Sequence, residues 1–485
     1  MLMLLSELLQ GIEHEGSLPD REIDRITCDS RIVAPGDLFV CVKGARFDGH
    51  DHASEALAAG AAAVVTERDL GLPEQIIAPD GRIAYALLCR NFYHNPQRGL
   101  RLIAVTGTSG KTTITFLLRD ILRAAGKRVG LIGTIQNEIG EMVISSRHTT
   151  PDPWQLYSVL SRMKEAGMEY VVMEASSFGL HQHRMEGLHF ECAVFTNLSH
   201  EHLDYHNTME EYYQAKKRLF TVCDKAVVNY DDEYGRRLIG ELSCPAATLS
   251  LSSDEADYTA HTITYSAEGS RFIVVHGSDI GRVAIRMPGA YSVQNAMCAL
   301  AAACEVGVPF EQAAAGLCES HGVLGRMEFV ECDLPFTVIR DFAHSPEELR
   351  NVLVTVRAFC KGRVVALFGC PGERDRTKRP EMARQVAENA DQAILTSDNP
   401  RGEDPRQIIN DALPGFTGSP TPVQVIEDRF DAIRWAIDFC REGDILLLLG
   451  KGHEDYQVLS FGSVYFDERF IVQQIVRSRH DQDSI

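Results

Sequence analysis

At 485 residues, 45% of them hydrophobic, the chain is long enough for roughly three domains with separate buried cores. Its formal net charge of −20 argues against a nucleic-acid-binding body, so an anionic substrate must meet locally placed Arg and Lys. The 13 cysteines are scattered without a Cys-x-x-Cys pair, so neither a disulfide framework nor a zinc ribbon is indicated, and a cytoplasmic protein without a membrane span is expected.

In chain order, Met1-Leu-Met-Leu-Leu-Ser-Glu-Leu-Leu9 predicts a short packed amphipathic helix, since it lacks the basic lead of a signal peptide. Short strands and turns follow at Ile26-Thr-Cys-Asp-Ser-Arg31 and Gly36-Asp-Leu-Phe-Val-Cys-Val-Lys43, then a helix over 52–62 and a strand over 63–66. The turn cluster Asn95-Pro-Gln-Arg-Gly99 reads as a linker that closes a first domain, 1–97. From 98 to 325, apolar strands at 129–133, 170–175, 192–198 and 226–229 alternate with helical patterns, as in a parallel sheet covered on both faces. The alternation restarts at Gly325-Arg326, with strands over 337–341, 364–368, 392–396 and 445–449, and defines a third domain, 326–485. The expected class is α/β in three domains, the central one carrying a mostly parallel sheet.

The most informative stretch is Arg101-Leu-Ile-Ala-Val-Thr-Gly-Thr-Ser-Gly-Lys-Thr-Thr113. A strand, a glycine loop and a helix in this order make a phosphate cradle, where free N–H groups and the helix dipole face an anion. Lys111 would reach the terminal phosphates of ATP and the Thr112 hydroxyl would hold Mg²⁺. Val105 stands where the strict motif has its first glycine. Glu174 ends a strand, and ligands in open α/β sheets bind beyond that edge, so it suits a nucleotide-bound Mg²⁺. Six histidines fall between His181 and His206. No cysteine joins them at zinc-ligand spacing, which leaves His202 as the best-placed magnesium-site candidate. Lys216 and Lys217 lie on a helical stretch and by spacing alone read as a solvated face; a neutral lysine amine can alternatively add CO₂ to become a carbamate. Asp398-Asn-Pro-Arg401 presents a guanidinium suited to a carboxylate, and Gly450-Lys-Gly-His-Glu454 follows the last strand.

Taken together, these residues resemble the Mur ligases, which build the peptide stem of bacterial peptidoglycan, along essentially the whole chain. The resemblance rests on Asp29-Ser-Arg31, Thr106-Gly-Thr-Ser-Gly-Lys-Thr-Thr113, Thr149-Thr-Pro151, Met173-Glu-Ala-Ser-Ser177, Gln182-His-Arg184 and His202-Leu-Asp-Tyr-His206. Ala215-Lys216, Gly325-Arg-Met-Glu328, Asp341-Phe-Ala-His344, Asp398-Asn-Pro-Arg401 and Gly450-Lys-Gly-His-Glu454 extend it. It implies an N-terminal UDP-substrate domain, a central phosphate-loop ATPase domain and a Rossmann-like C-terminal domain that binds an amino acid. The implied activity is ADP-forming addition of meso-diaminopimelate to the UDP-N-acetylmuramoyl dipeptide through an acyl phosphate, by a monomer. Lys111, Glu174, His202 and Lys216 would be catalytic. Gly107, Thr108, Ser109, Gly110, Lys111, Thr112 and Thr113 would hold the ATP phosphates, with Asn295, Arg326 and Asp341 as further nucleotide contacts. Thr112, Glu174, His202 and Lys216, as a carbamate, would serve magnesium. Ser30, Thr149, Thr150, Ser176, Gln182 and Arg184 would hold the UDP substrate. Arg374, Asp398, Asn399, Pro400, Arg401, Gly450 and Glu454 would form the amino-acid pocket.

Ser109, Phe178, Ser292, Leu324, Pro371 and Glu373 depart from the family's common residues, and none removes a charge that the chemistry needs. They leave room for a paralogue using L-lysine or another acceptor. A folylpolyglutamate synthase-like ligase would not need Asp29-Ser-Arg31 or Asp398-Asn-Pro-Arg401, and a non-catalytic sensor of UDP-sugar peptides would not need Lys111, Glu174 and Lys216.

Overall fold

Continuous apolar runs become the buried centres of three sheets with parallel strands. The protein, a computed structural model, is described over residues 2–44, 47–146 and 148–483. It divides into two compact units, Met1–Asp257 with Cys298–Ala313, and Tyr258–Met297 with Ala314–Ile485.

In the first unit, the N-terminal leucines do not make the expected helix. Met3–Leu4 pairs antiparallel with Glu22–Ile23, and only Leu5–Leu8 is helical. Strand pairing buries Met3, and a single turn suffices to bury Leu5 and Leu8. A four-stranded parallel sheet follows in the order Arg25–Thr27, Asp37–Val40, Ala63–Thr66, Gln75–Ile77. Gly81–Phe92 is a helix because Asp80 caps it, accepting from Arg82 N and Ile83 N. Its apolar face, including Leu88 and Phe92, joins a core with Leu156 and Leu160 of the helix Pro153–Glu165.

Within this unit the large sheet runs Met142–Ser145, Gln136–Ile139, Val129–Ile132, Tyr170–Glu174, Arg101–Thr106, Phe190–Phe195, Cys223–Asn229, Ala246–Ser250. The strands from Val129–Ile132 onward are parallel, with Glu174 opposite Val105 and Phe195 opposite Thr106. That register brings the ends of three adjacent strands to one edge, where the helix Lys111–Ala124 begins. Ile114, Leu117, Leu118, Ile121 and Leu122 of this helix are buried at helical spacing.

In the second unit, Tyr258–Ser266, Gly269–His276 and Asp279–Ile285 form an antiparallel run. The parallel alternation expected over 98–325 does not extend through this stretch. Its physical reason is a two-residue period: Ser270, Phe272 and Val274 are buried while Arg271, Ile273 and Val275 are not. A six-stranded sheet follows in the order Glu328–Phe329, Thr337–Asp341, Ile445–Leu449, Val364–Phe368, Gln392–Leu395, Val423–Val425, all parallel after the first pair. Helices Pro346–Arg357, Lys378–Asn389 and Pro405–Ala412 pack on one face, and Arg429–Phe439 and Glu468–Asp483 on the other. The loops after Phe368, Leu395 and Leu449 therefore emerge at one carboxyl edge. Among the described residues no helix is long and apolar enough to cross a membrane.

Candidate active site

The glycine loop is held by the neighbouring strand end. Gly107 (φ 152°) and Gly110 (φ 90°) adopt backbone that disfavours side chains, and a Cβ on Gly107 would lie 1.8 Å from Thr196 Oγ1. Thr196 Oγ1 donates to Ser109 O at 2.7 Å, Ser109 N donates to Asn197 Oδ1 at 2.9 Å, and Thr108 N donates to Asn197 O at 2.9 Å. Asn229 Nδ2 supports Thr196 O from the next strand at 2.8 Å. Thr196 and Asn197 are not among the sequence-derived site residues; their signal is that they follow Phe190–Phe195, the fifth strand after the loop in the chain but adjacent in the sheet to the strand that precedes the loop.

Two lysines converge on one carbonyl. Lys111 Nζ donates to Gly107 O at 2.9 Å and to Thr108 O at 2.7 Å, while Lys216 Nζ donates to the same Gly107 O at 2.6 Å. Lys216 is not a solvated residue: its side chain is buried and lies 4.5 Å from the centroid of the Tyr212 ring. Burial, reinforced by the charge of Lys111, pushes its pKa well below that of an ordinary lysine. Tyr212, another residue the sequence did not single out, also places its hydroxyl 3.2 Å from Thr108 Oγ1. His202 sits edge-on to Tyr212 at 6.0 Å and to Phe178 at 5.2 Å.

Glu174 is fully buried, yet every contact on its carboxylate is a donor. Thr134 N reaches Oε1 at 2.8 Å, and Oε2 accepts from Thr134 Oγ1 at 2.9 Å and Thr112 Oγ1 at 3.0 Å. Hydroxyls and a carboxylate beside a phosphate loop are the hard oxygen donors that Mg²⁺ takes. Among the described residues no group of three His, Cys, Asp or Glu is assembled for a metal. His206 Nε2 instead meets Ser177 Oγ at 2.9 Å and its ring stacks on Tyr212.

Thr149, Thr150, Ser176, Gln182 and Arg184 form one hydrogen-bonded group. Thr150 Oγ1 donates to Glu174 O at 2.8 Å and lies 3.0 Å from Ser176 Oγ. Arg184 donates to Thr150 O at 2.7 Å and to Gln182 Oε1 at 2.9 Å, and Thr149 Oγ1 lies 3.0 Å from Thr134 Oγ1. Ser30 belongs to a different element, the turn Ser30–Ile32, whose cap Asp29 accepts from Arg31 N.

In the second unit, Asn399, Lys451 and Glu454 interlock. Asn399 Nδ2 donates to Glu454 Oε2 at 2.8 Å, and Lys451 Nζ donates to Asn399 Oδ1 at 3.1 Å and Glu454 Oε2 at 3.0 Å. Arg401 (φ 56°) donates its backbone N–H to Val458 O. Asp398 Oδ2 is buried without a hydrogen-bond partner among the described residues and would sit 2.6 Å from a Cβ on Gly450. A Cβ on Gly372 would meet Pro400 O at 2.0 Å, so the loop carrying Pro371, Glu373 and Arg374 is closely packed on Asp398-Asn-Pro-Arg401. Arg374 Nη1 donates to Glu373 O at 3.3 Å.

Asp341 caps two backbone donors, Met327 N at 2.7 Å and Ala343 N at 2.8 Å. Burial raises its pKa against the pull of Arg326. The Arg326 guanidinium lies over the Phe342 ring at 4.5 Å, with Nε buried and unpartnered. Asn295 lies on the helix Ala290–Glu305.

Residues 22–86 match the description "Mur ligase family, catalytic domain", 105–303 "Mur ligase middle domain" and 325–452 "Mur ligase, glutamate ligase domain". The chain is 42% identical over 487 residues to a UDP-N-acetylmuramoyl-L-alanyl-D-glutamate–2,6-diaminopimelate ligase of Halalkalibacterium halodurans, covering 99% of each. It is 38% identical over 489 residues to the protein of that name in Clostridium perfringens, covering 98% of this chain and 100% of the other. A solved structure of a ligase of the same name superposes with a TM-score of 0.72 at 34% identity, over 99% of this chain and 100% of that one. The chain belongs to the Mur ligase family.

Proposed function

We propose that this protein is a cytoplasmic, ADP-forming ligase that adds meso-2,6-diaminopimelate to UDP-N-acetylmuramoyl-L-alanyl-D-glutamate in peptidoglycan precursor synthesis. The observation that carries the reading is the pair of lysines on Gly107 O beside the buried Glu174 carboxylate. Lys111 and Lys216 converge on one neutral carbonyl of the glycine loop, and the Lys111 ammonium there calls for an anion, which a phosphoryl group supplies.

A carboxylate is a poor acyl donor, so the γ-phosphoryl group of ATP first passes to the D-glutamyl side-chain carboxylate of the precursor. Gly107 to Thr113 hold the phosphates, and Lys111 neutralises the charge that gathers on the transferring oxygens. Thr112, Glu174, His202 and Lys216 are the residues that would hold Mg²⁺, which when bound supplies further charge neutralisation at those oxygens. Lys216 serves there as a carbamate: its amine, kept neutral by burial and by Lys111, attacks CO₂, releases a proton and becomes an anionic oxygen donor. Thr149, Thr150, Ser176, Gln182, Arg184 and Ser30 hold the precursor. Asn295, Arg326 and Asp341 contact the nucleotide. The amine of the incoming amino acid then attacks the acyl phosphate and phosphate leaves. Arg374, Asp398 to Arg401, Gly450 and Glu454 hold that amino acid, with Arg401 on its distal carboxylate. Boundaries near residues 97 and 325 separate the three functional domains, and the working form is a monomer.

The test is ADP release with each substrate withheld in turn. Turnover that needs ATP, the UDP dipeptide and diaminopimelate together is expected. Turnover with a folate substrate, or preference for L-lysine, rejects the reading.

A further inference from the structure

Lys451 does something that neither the phosphate chemistry nor the carboxylate clamp of Arg401 accounts for. Its side chain is fully buried, at 0% exposure, yet it carries an ammonium. Removing such a group from water is costly unless its partners compensate. Those partners are two residues assigned above to the amino-acid pocket, Asn399 Oδ1 at 3.1 Å and Glu454 Oε2 at 3.0 Å. Tyr456 adds its ring face, 5.7 Å from Nζ.

The hydrogen bonds determine which way the Asn399 amide faces. Its oxygen accepts from Lys451 Nζ and from Val458 N at 2.9 Å, so both lone pairs are occupied. Its nitrogen gives one hydrogen to Glu454 Oε2 at 2.8 Å and retains a second for a ligand oxygen. Glu454 Oε2 takes both Lys451 and Asn399, while Oε1 meets, among the described residues, only the Tyr456 hydroxyl, at 3.3 Å. Val458 also accepts from Arg401 N, which ties the guanidinium-bearing residue to the short strand Tyr456–Leu459.

We infer that Lys451 is a positioning residue for an acceptor with a zwitterionic distal end. It turns the Asn399 N–H toward the acceptor's carboxylate and occupies one oxygen of Glu454, leaving the other for the acceptor's ammonium. This rests on the pocket assignment proposed above and goes beyond it in naming what sets the pocket's donor and acceptor pattern.

Steady-state kinetics of wild type, Lys451→Met and Lys451→Gln test the inference, with each of the three substrates varied separately. The amino acid is meso-diaminopimelate, with L-lysine compared alongside it in the wild type. Lys451→Met, which keeps bulk but no donor, is expected to raise KM for the amino acid about 10- to 100-fold, the range for a lost charged hydrogen bond. KM for ATP and for the UDP dipeptide should stay within about threefold, and Lys451→Gln, which keeps a donor, should fall between. In a double-mutant cycle with Glu454→Gln, the combined loss should fall well below the product of the single losses. Equal losses for all three substrates, no change in the amino-acid KM, independent effects in the cycle, or failure of both variants to fold would make Lys451 a structural ion-pair partner and overturn the inference. Wild-type preference for lysine, whose distal end carries no carboxylate, rejects the diaminopimelate reading and overturns the zwitterionic-acceptor inference with it.

Discussion

At the scale of single residues, environment decides chemistry. Lys216 and Lys217 are neighbours of the same type, yet Lys217 pairs with Glu241 at 2.8 Å while Lys216 is buried against Gly107 O and Tyr212. Burial and the charge of Lys111 lower the Lys216 pKa toward the neutral amine that takes up CO₂. Lys216→Ala should therefore lose ligation, and formate or acetate should restore part of it by replacing the carbamate anion; full activity without any added acid rejects the carbamate. Arg401 is held in a left-handed backbone conformation, and its guanidinium has no ion-pair partner among the described residues. A site built for a carboxylate leaves this charge unpaired when the acceptor is lysine, and such rejection can reach about 10⁴-fold. Comparing kcat/KM for diaminopimelate and lysine in Arg401→Ala should reveal a much larger loss for diaminopimelate. Equal losses would remove Arg401 as the selector.

At the scale of elements, the phosphate loop owes its shape to a strand it does not belong to. Gly107→Ala places a Cβ on Thr196 Oγ1 and displaces the hydroxyl that holds Ser109 O. The strained backbone alone costs on the order of 1–3 kcal/mol. A lowered melting temperature together with lost ATP affinity is expected, and normal ATP binding in a folded variant would separate the loop from Thr196. Glu348, in the first turn of the helix Pro346–Arg357, offers a pH test. Burial alone would raise its pKa, but His344 and Arg326 hold it below its ordinary value near 4.5. A carboxyl with a depressed native pKa stabilises above its unfolded pKa and loses that contribution as pH falls through the native one. Urea midpoints of wild type and Glu348→Gln should differ at pH 7 and converge in acid; a gap that widens in acid contradicts the assignment.

At the scale of the whole molecule, the residues proposed for the chemistry are divided between two compact units. The phosphate loop, Glu174, Lys216 and Arg184 lie in the first, and Asp398 to Arg401 with Gly450 to Glu454 in the second. Hydrogen exchange should accordingly separate the ligands. The UDP dipeptide is expected to protect amides over 149–184, and diaminopimelate those over 398–401 and 450–459. Protection by diaminopimelate confined to the first unit would displace the amino-acid pocket.

What the sequence determined by itself is whatever local pattern encodes: the apolar strands 337–341, 364–368 and 445–449, the glycine loop before Lys111, and the family motifs at each strand end. Periodicity and turn chemistry act over a few residues, so they are legible without a fold. It misread the first nine residues, because the pairing of Met3 with Ile23 is a contact across the chain. It passed over the antiparallel stretch 258–285 in the search for buried parallel strands. Tertiary structure alone decided that Thr196 and Asn197 hold the loop, that Thr134 and Thr112 orient Glu174, and that Lys451 lies between Asn399 and Glu454. Burial and hydrogen-bond partnership arise only when distant segments pack. The same packing withdraws Lys216 from water, and no spacing along the chain records that.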